Sequence, residues 1–189
     1  MGEQLLKMQA DGSISLDILE LDLLRSEEHD VLQEPFWEAK MRRLDTGHYR
    51  VLVITPPCNT HSRARNSNAP KPKPVHSKRD PLGFPWLQGS QLKEVMQANK
   101  FVDLTFNSCR QAHQAKAGFL IEHPEDLGAA ADGIWALQKM FSLAADTKAV
   151  TAAFFQCPFG AVSAKPTRVV TTLPIKSVPV APPIQLFFF

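Results

Sequence analysis

The segment Tyr49-Arg-Val-Leu-Val-Ile-Thr55, cut off by Pro56-Pro57, constrains the fold more than any other stretch of the chain. Four consecutive β-branched or leucine side chains leave it no polar face. The pattern predicts a strand buried on both sides, as in a parallel sheet covered by helices. Two prolines in a row cannot donate to a ladder, so the strand ends there.

The rest of the chain supplies partners for that strand. Gly118-Phe-Leu-Ile-Glu122 reads as a second short buried strand, stopped by His123-Pro124. Ala152–Gln156 and Arg168–Leu173 read as a third and a fourth. The connection Cys157–Thr167 is short and holds Pro158, Gly160 and Pro166, which favours an antiparallel pair. Pro35–Leu44 is helical in pattern and is stopped by Thr46-Gly47. Gln91–Ala117 is helical with Leu92, Val95, Met96, Leu104, Ser108, Ala112 and Ala115, and Asn99 marks a break between two helices. Ile134, Leu137, Phe141 and Ala144 fall on one helix face. Ile14–Asp22 alternates and reads as a strand or the start of an amphipathic helix. Strands alternating with helices and closed by an antiparallel pair predict an α/β three-layer sandwich with a mostly parallel sheet.

With 189 residues, 44% apolar and 21% charged, the chain is expected to form one domain with a core of its own. Residues 14–175 are assigned to it, with 1–13 a tail and 176–189 a disordered, proline-containing tail. No run of about 18 uncharged apolar residues occurs, which excludes a membrane-spanning helix. The first residues, Met1–Lys7, lack the pattern of a secretory signal. The three cysteines are too widely spaced for a disulfide framework or a metal site. An intracellular setting, nucleus or cytoplasm, is expected.

Charge is uneven. Residues 1–34 carry nine acids against two bases, whereas 61–79 carry six bases and no acid. This basic stretch belongs to a proline- and lysine-rich loop, 62–89, of a length usual for functional or disordered segments. It is the candidate polyanion contact.

In open α/β sheets the chemistry sits beyond the carboxyl ends of the strands. Two such ends carry reactive groups: Thr55-Pro-Pro-Cys58 and Glu122-His-Pro124. A cysteine held by a rigid turn and followed by cations is a candidate nucleophile. A carboxylate on the neighbouring strand end can protonate or hold a ring nitrogen. Together they suggest covalent addition to an electron-poor ring. The competing readings are a small buried thiol and a Glu that only caps a helix.

Pro56-Pro-Cys-Asn-Thr-His-Ser62 resembles the Pro-Cys-Gln-x-Phe-Ser stretch of the cytosine-C5 DNA methyltransferase family, and Phe119-Leu-Ile-Glu-His-Pro124 its Glu-Asn-Val strand end. The chain resembles still more closely the divergent methyltransferase-like domains of protist genomes and mobile elements. That likeness rests on Pro-Pro-Cys-x-Thr-x-Ser-Arg-Ala, Pro81-Leu-Gly-Phe-Pro-Trp-Leu87, Glu-His-Pro, Gln156-Cys-Pro-Phe-Gly160 and Lys165-Pro-Thr167, and covers residues 18–173. It implies an incomplete Rossmann-like sandwich. It implies that Cys58 attacks C6 of a cytosine, that Glu122 holds the N3 side of the ring, and that S-adenosylmethionine supplies the methyl group. A base in a duplex must first be flipped out. Asp22 and Pro57 correspond to cofactor contacts. Arg63, Arg65, Lys71, Lys73, Lys165 and Arg168 correspond to nucleic-acid contacts, with DNA the expected partner and RNA an alternative. No metal is implied.

The departures are Asn59 for Gln, His61 for Phe, Glu-His-Pro for Glu-Asn-Val, and no Gly-x-Gly anywhere in the chain. The family's first strand, which carries the cofactor loop, lies beside the Pro-Cys strand. Its loss would leave the edge of Val51–Ile54 unpaired. The family's recognition domain beyond residue 173 is also lacking. These departures imply a fragment or degenerate copy that keeps the catalytic corner without most of the cofactor site. The alternative is a non-catalytic nucleic-acid-binding remnant of a mobile element. An amino-methyltransferase ranks below both, because Thr55 and Cys58 stand where it needs an Asp or Asn and an aromatic residue.

Overall fold

The computed structural model describes residues 18–22, 25–62, 65, 73–125, 133–162 and 164–174. The two expected tails, residues 14–17 of the Ile14–Asp22 segment, and Arg63 and Lys71 lie outside the described residues. The chain divides into two compact units, Met1–Lys40 and Met41–Phe189. No described helix is long and apolar enough to cross a membrane.

In the first unit, Ser26 caps a 3-10 turn, Glu27–His29, by accepting from the Glu28 amide. Asp22 is exposed, and its carbonyl accepts from the Arg25 and Ser26 amides. Helix α1, Glu34–Asp45, spans the boundary between the units. Pro35 sits in its first turn, where a missing N–H costs nothing. It ends as the sequence predicts. Gly47 adopts φ +74° and donates to the Leu44 carbonyl, while the His48 amide reaches Arg43.

The second unit holds strand β1 (Val51–Ile54), helix α2 (Gly89–Gln114), strand β2 (Gly118–Pro124), helix α3 (Gln138–Thr147), and strands β3 (Val150–Phe155) and β4 (Pro166–Thr171). The sheet order is β1-β2-β4-β3. β1 and β2 are parallel, with Ile54 beside Ile121. β4 runs antiparallel to both β2 and β3. The fold is therefore mixed α/β. Three of the four strands share a direction, but only one neighbouring pair is parallel, because β4 inserts between β2 and β3. The expectation of a mostly parallel sheet is corrected on that point.

β2 shows why the helices settle on one face. Phe119, Ile121 and His123 are fully buried and alternate with half-buried Gly118, Leu120, Glu122 and Pro124. α2 packs on β1 and β2, and α3 packs on α2. Phe106, Cys109 and Ala112 of α2 and Leu143 of α3 have no exposed surface. The opposite face presents exposed Val51, Val53 and Val150. Among the described residues this unit has a helical layer on one face of the sheet, not on both.

Three further expectations are corrected. β1 is an edge strand with alternate residues exposed, not a strand buried on both faces. α2 is continuous through Asn99, whose side-chain amide donates to the Leu82 carbonyl at 2.8 Å; a polar residue that looked like a break instead fastens a loop. The segment from Ile134 is a 3-10 turn, Ile134–Ala136, followed by α3. Met140, Leu143 and Thr147 form the buried face of α3, and Phe141 is exposed.

Candidate active site

The parallel register fixes the geometry of the two reactive strand ends. Ile54 lies beside Ile121, so β1 and β2 run out at the same end of the sheet. Cys58 follows Ile54 by four residues, and Glu122 follows Ile121 by one. Cys58 is a free, half-buried thiol. Pro56, ahead of it, is buried, and Pro57 is exposed.

Glu122 is held from the far side of the sheet. Its side chain is only 14% exposed. It accepts from Lys165 Nζ at 3.3 Å and from Gln156 Nε2 at 3.5 Å. Both donors arrive through β3 and β4. The Gln156 amide donates to the Lys165 carbonyl, extending that ladder by one step, and Gln156 Nε2 also donates to Thr167 Oγ1 at 2.9 Å. The Gln156–Gly160 and Lys165–Thr167 segments, remote from Glu122 in sequence, thus converge on one carboxylate. A half-buried carboxylate with two side-chain donors is fixed in position, which acid–base work on a bound ring requires.

Arg168 does not join this group. It pairs with His123 in the register, one residue from Glu122, and so leaves the sheet on the other face. There its guanidinium grips the buried Glu125 in two-pronged fashion, at 2.6 and 2.9 Å. Arg65 is likewise committed. Its side chain is 9% exposed and pairs with Glu94 of α2 at 3.1 Å, and Asn59 Nδ2 donates to the same carboxylate. Glu94 ties the turn after Cys58 to α2, a role not read from the sequence. Lys73 is exposed. Asp22 belongs to the other unit. Arg63 and Lys71 lie outside the described residues.

The described part of the loop, residues 73–88, is anchored by an apolar knot. Val75, Leu87 and Val95 form a buried cluster with Phe84 against it, and Trp86 stacks on Phe84 with centroids 4.6 Å apart. Gly83 adopts φ +115°, and a Cβ there would lie 2.7 Å from Val95 Cγ1. This explains a glycine inside the Pro81–Leu87 motif.

Three histidines of this unit are buried. His61, His76 and His123 are each at most 2% exposed. His61 and His76 stack with centroids 4.1 Å apart, and His123 meets Trp135 edge-on. Burial first, and the neighbouring His61 second, pull the pKa of His76 down to about 4 and that of His123 to about 3. Both rings are therefore neutral at neutral pH. His61 and His76 lie at or inside the basic stretch 61–79, and no periodicity marks a loop histidine as buried. Among the described residues no group of three His, Cys, Asp or Glu side chains is arranged to hold a metal.

Comparison with protein-family models, with curated proteins and with solved structures gives no match.

Proposed function

We propose that the chain is a divergent cytosine-C5 DNA methyltransferase-like domain that keeps the base-handling corner and lacks the cofactor site. The observation that carries the proposal is the shared sheet end of Cys58 and Glu122, with Glu122 braced by Gln156 and Lys165. Two of the three other segments that carry the resemblance, Gln156–Gly160 and Lys165–Thr167, meet at that same carboxylate. The β1-β2-β4-β3 sheet is compatible with part of a Rossmann-like sandwich.

S-adenosylmethionine does not fit the residues present. The strand that bears the family's glycine loop would pair with β1, yet β1 has no outer neighbour among the described residues, and the chain has no Gly-x-Gly. The chemistry left to this corner is reversible addition. Cys58 Sγ, as the thiolate, bonds to C6 of cytosine; the C5=C6 pair moves to C4=C5, and the C4=N3 pair moves onto N3. N3 takes a proton through Glu122, and C5 takes one from water. Reversal releases the original C5 hydrogen, restores the ring and expels the thiolate, so no co-reactant beyond water is needed.

The test is tritium release from an oligonucleotide containing [5-³H]cytosine, without cofactor. Release is expected from the native chain and is lost in Cys58→Ala and Glu122→Gln. Absence of release from a folded chain that binds the oligonucleotide contradicts the proposal. It favours the second reading, a binding remnant, which the exposed Lys73, Lys78 and Arg79 support.

A further inference from the structure

A cavity of about 420 Å³ opens between the loop after Lys73 and the start of α3. His76, Lys78 and Pro81 line it from the loop, and Gly133, Leu137 and Gln138 from the other side. Neither Cys58 nor Glu122 borders it. Its lining holds two nitrogen-bearing side chains from the loop and no acid. Asp80, the acid of that loop, instead accepts the Ser77 hydroxyl.

His76 is the unusual member. It is 2% exposed, and neither ring nitrogen has a hydrogen-bond partner among the described residues. A buried polar group left unpaired is costly, and a native fold that tolerates one generally has a use for it. The Pro81 backbone lies close enough to favour the protonated ring slightly, without meeting hydrogen-bond geometry. A neutral imidazole has a single N–H, and since neither ring nitrogen meets hydrogen-bond geometry with Pro81, that N–H is left for another acceptor. The guanidinium of Arg65 acts on the same ring and opposes its protonation.

The other wall is the amino end of a ten-residue helix. α3 begins after Leu137, an extended residue that offers no side-chain cap. The first amides of a helix have no partner within it and carry its positive partial charge. An anion is the natural occupant of such an end. An uncapped helix start, a buried imidazole with unused nitrogens and a lysine thus face one space.

We infer that this cavity binds a phosphate-class oxyanion, carried either by a free small molecule or by a nucleic-acid backbone. Neutral His76 donates one N–H, the amides at the start of α3 donate to other oxygens, and Lys78 balances the charge. A tetrahedral oxyanion presents several acceptor atoms to these donors, whereas chloride presents one. The inference does not depend on the chemistry at Cys58.

The test is titration of the full chain with inorganic phosphate at pH 7.5, with ionic strength held constant by sodium chloride. It is followed by calorimetry and by the amide resonances of Gln138 and Lys139. Saturable binding with shifts at those amides is expected. Lys78→Gln, a change at an exposed residue, is expected to weaken it at least tenfold. His76→Phe keeps a ring for the stack on His61 and is expected to abolish it. Absence of a saturable effect beyond chloride overturns the inference, as does equal affinity in native chain and Lys78→Gln. A short single-stranded oligonucleotide then distinguishes the sources. Displacement of phosphate from the amide signals assigns the site to a backbone phosphate; phosphate binding that the oligonucleotide leaves unchanged assigns it to a free one.

Discussion

Lowering the pH from 7.5 to 5 is expected to destabilise the folded chain through His76 and His123. Burial is the main cause of their depressed pKa values, about 4 and about 3, and His61 adds to it at both. The Pro81 and Pro124 backbones offset part of the effect, while Arg65 adds to it at His76 and Lys165 at His123. In the unfolded chain each ring returns to its ordinary value of 6.5. Between these values the unfolded state binds more protons than the folded state. Stability is therefore complete above about pH 6.5 and is lost as pH falls towards the folded values. One pKa unit corresponds to about 1.4 kcal/mol, so the interval from 6.5 to 5 amounts to about 2 kcal/mol per ring. The two rings share His61 and do not add in full, which leaves about 3 kcal/mol for the pair. The assay is urea unfolding followed by tryptophan fluorescence, in phosphate-free buffer at both pH values. With a slope of about 2 kcal/mol/M, the midpoint is expected to fall by about 1.5 M. The His76→Phe/His123→Phe double variant is expected to lose most of that fall. Equal midpoints at pH 7.5 and 5 for the native chain would refute the reasoning.

Other perturbations follow from the same structure. Gly83→Ala forces a side chain into φ +115° and against Val95, and thermal or urea unfolding is expected to show a loss of about 2 kcal/mol. Arg168→Met strands the buried carboxylate of Glu125. It is expected to cost about 3 kcal/mol, with most of it recovered in the Arg168→Met/Glu125→Gln double variant, measured as a double-mutant cycle. Cys109 is fully buried, and burial pushes its pKa up to about 12. In the native chain at pH 8 iodoacetamide is expected to spare Cys109 while labelling exposed Cys157, and urea is expected to expose Cys109 to labelling.

The sequence was readable where a local signal matched a local cause. The Thr46-Gly47 stop of α1 is a backbone requirement for positive φ, and the four strands of the second unit are visible as short apolar runs. Three features depend on the rest of the chain. Val51–Ile54 is apolar throughout, yet its burial depends on neighbours beyond β1, and in the structure it is an edge. Asn99 has a low helix propensity that tertiary contact overrides, since the loop carbonyl of Leu82 claims its amide. Arg168 and Lys165 are three residues apart and look equivalent in a basic motif. The pleat of β4 sends Arg168 to Glu125 on one face, while Lys165, just before the strand, reaches Glu122 on the other. The Cys58 and Glu122 strand ends could be named from sequence because parallel strands joined by a helix end on the same side. The bracing of Glu122 by Gln156 could not, because it depends on β4 inserting between β2 and β3.

Covalent capture tests the central claim most directly. An oligonucleotide in which one cytosine is replaced by 2-pyrimidinone offers a C6 more open to attack by a thiol. Incubated with the native chain and separated under denaturing conditions, it is expected to yield a protein–oligonucleotide adduct whose intact mass equals the sum of the two. Peptide mapping is expected to locate the attachment at Cys58, and Cys58→Ser is expected to give none. An oligonucleotide that binds the folded chain yet forms no adduct, or forms one at Cys157, would contradict the account.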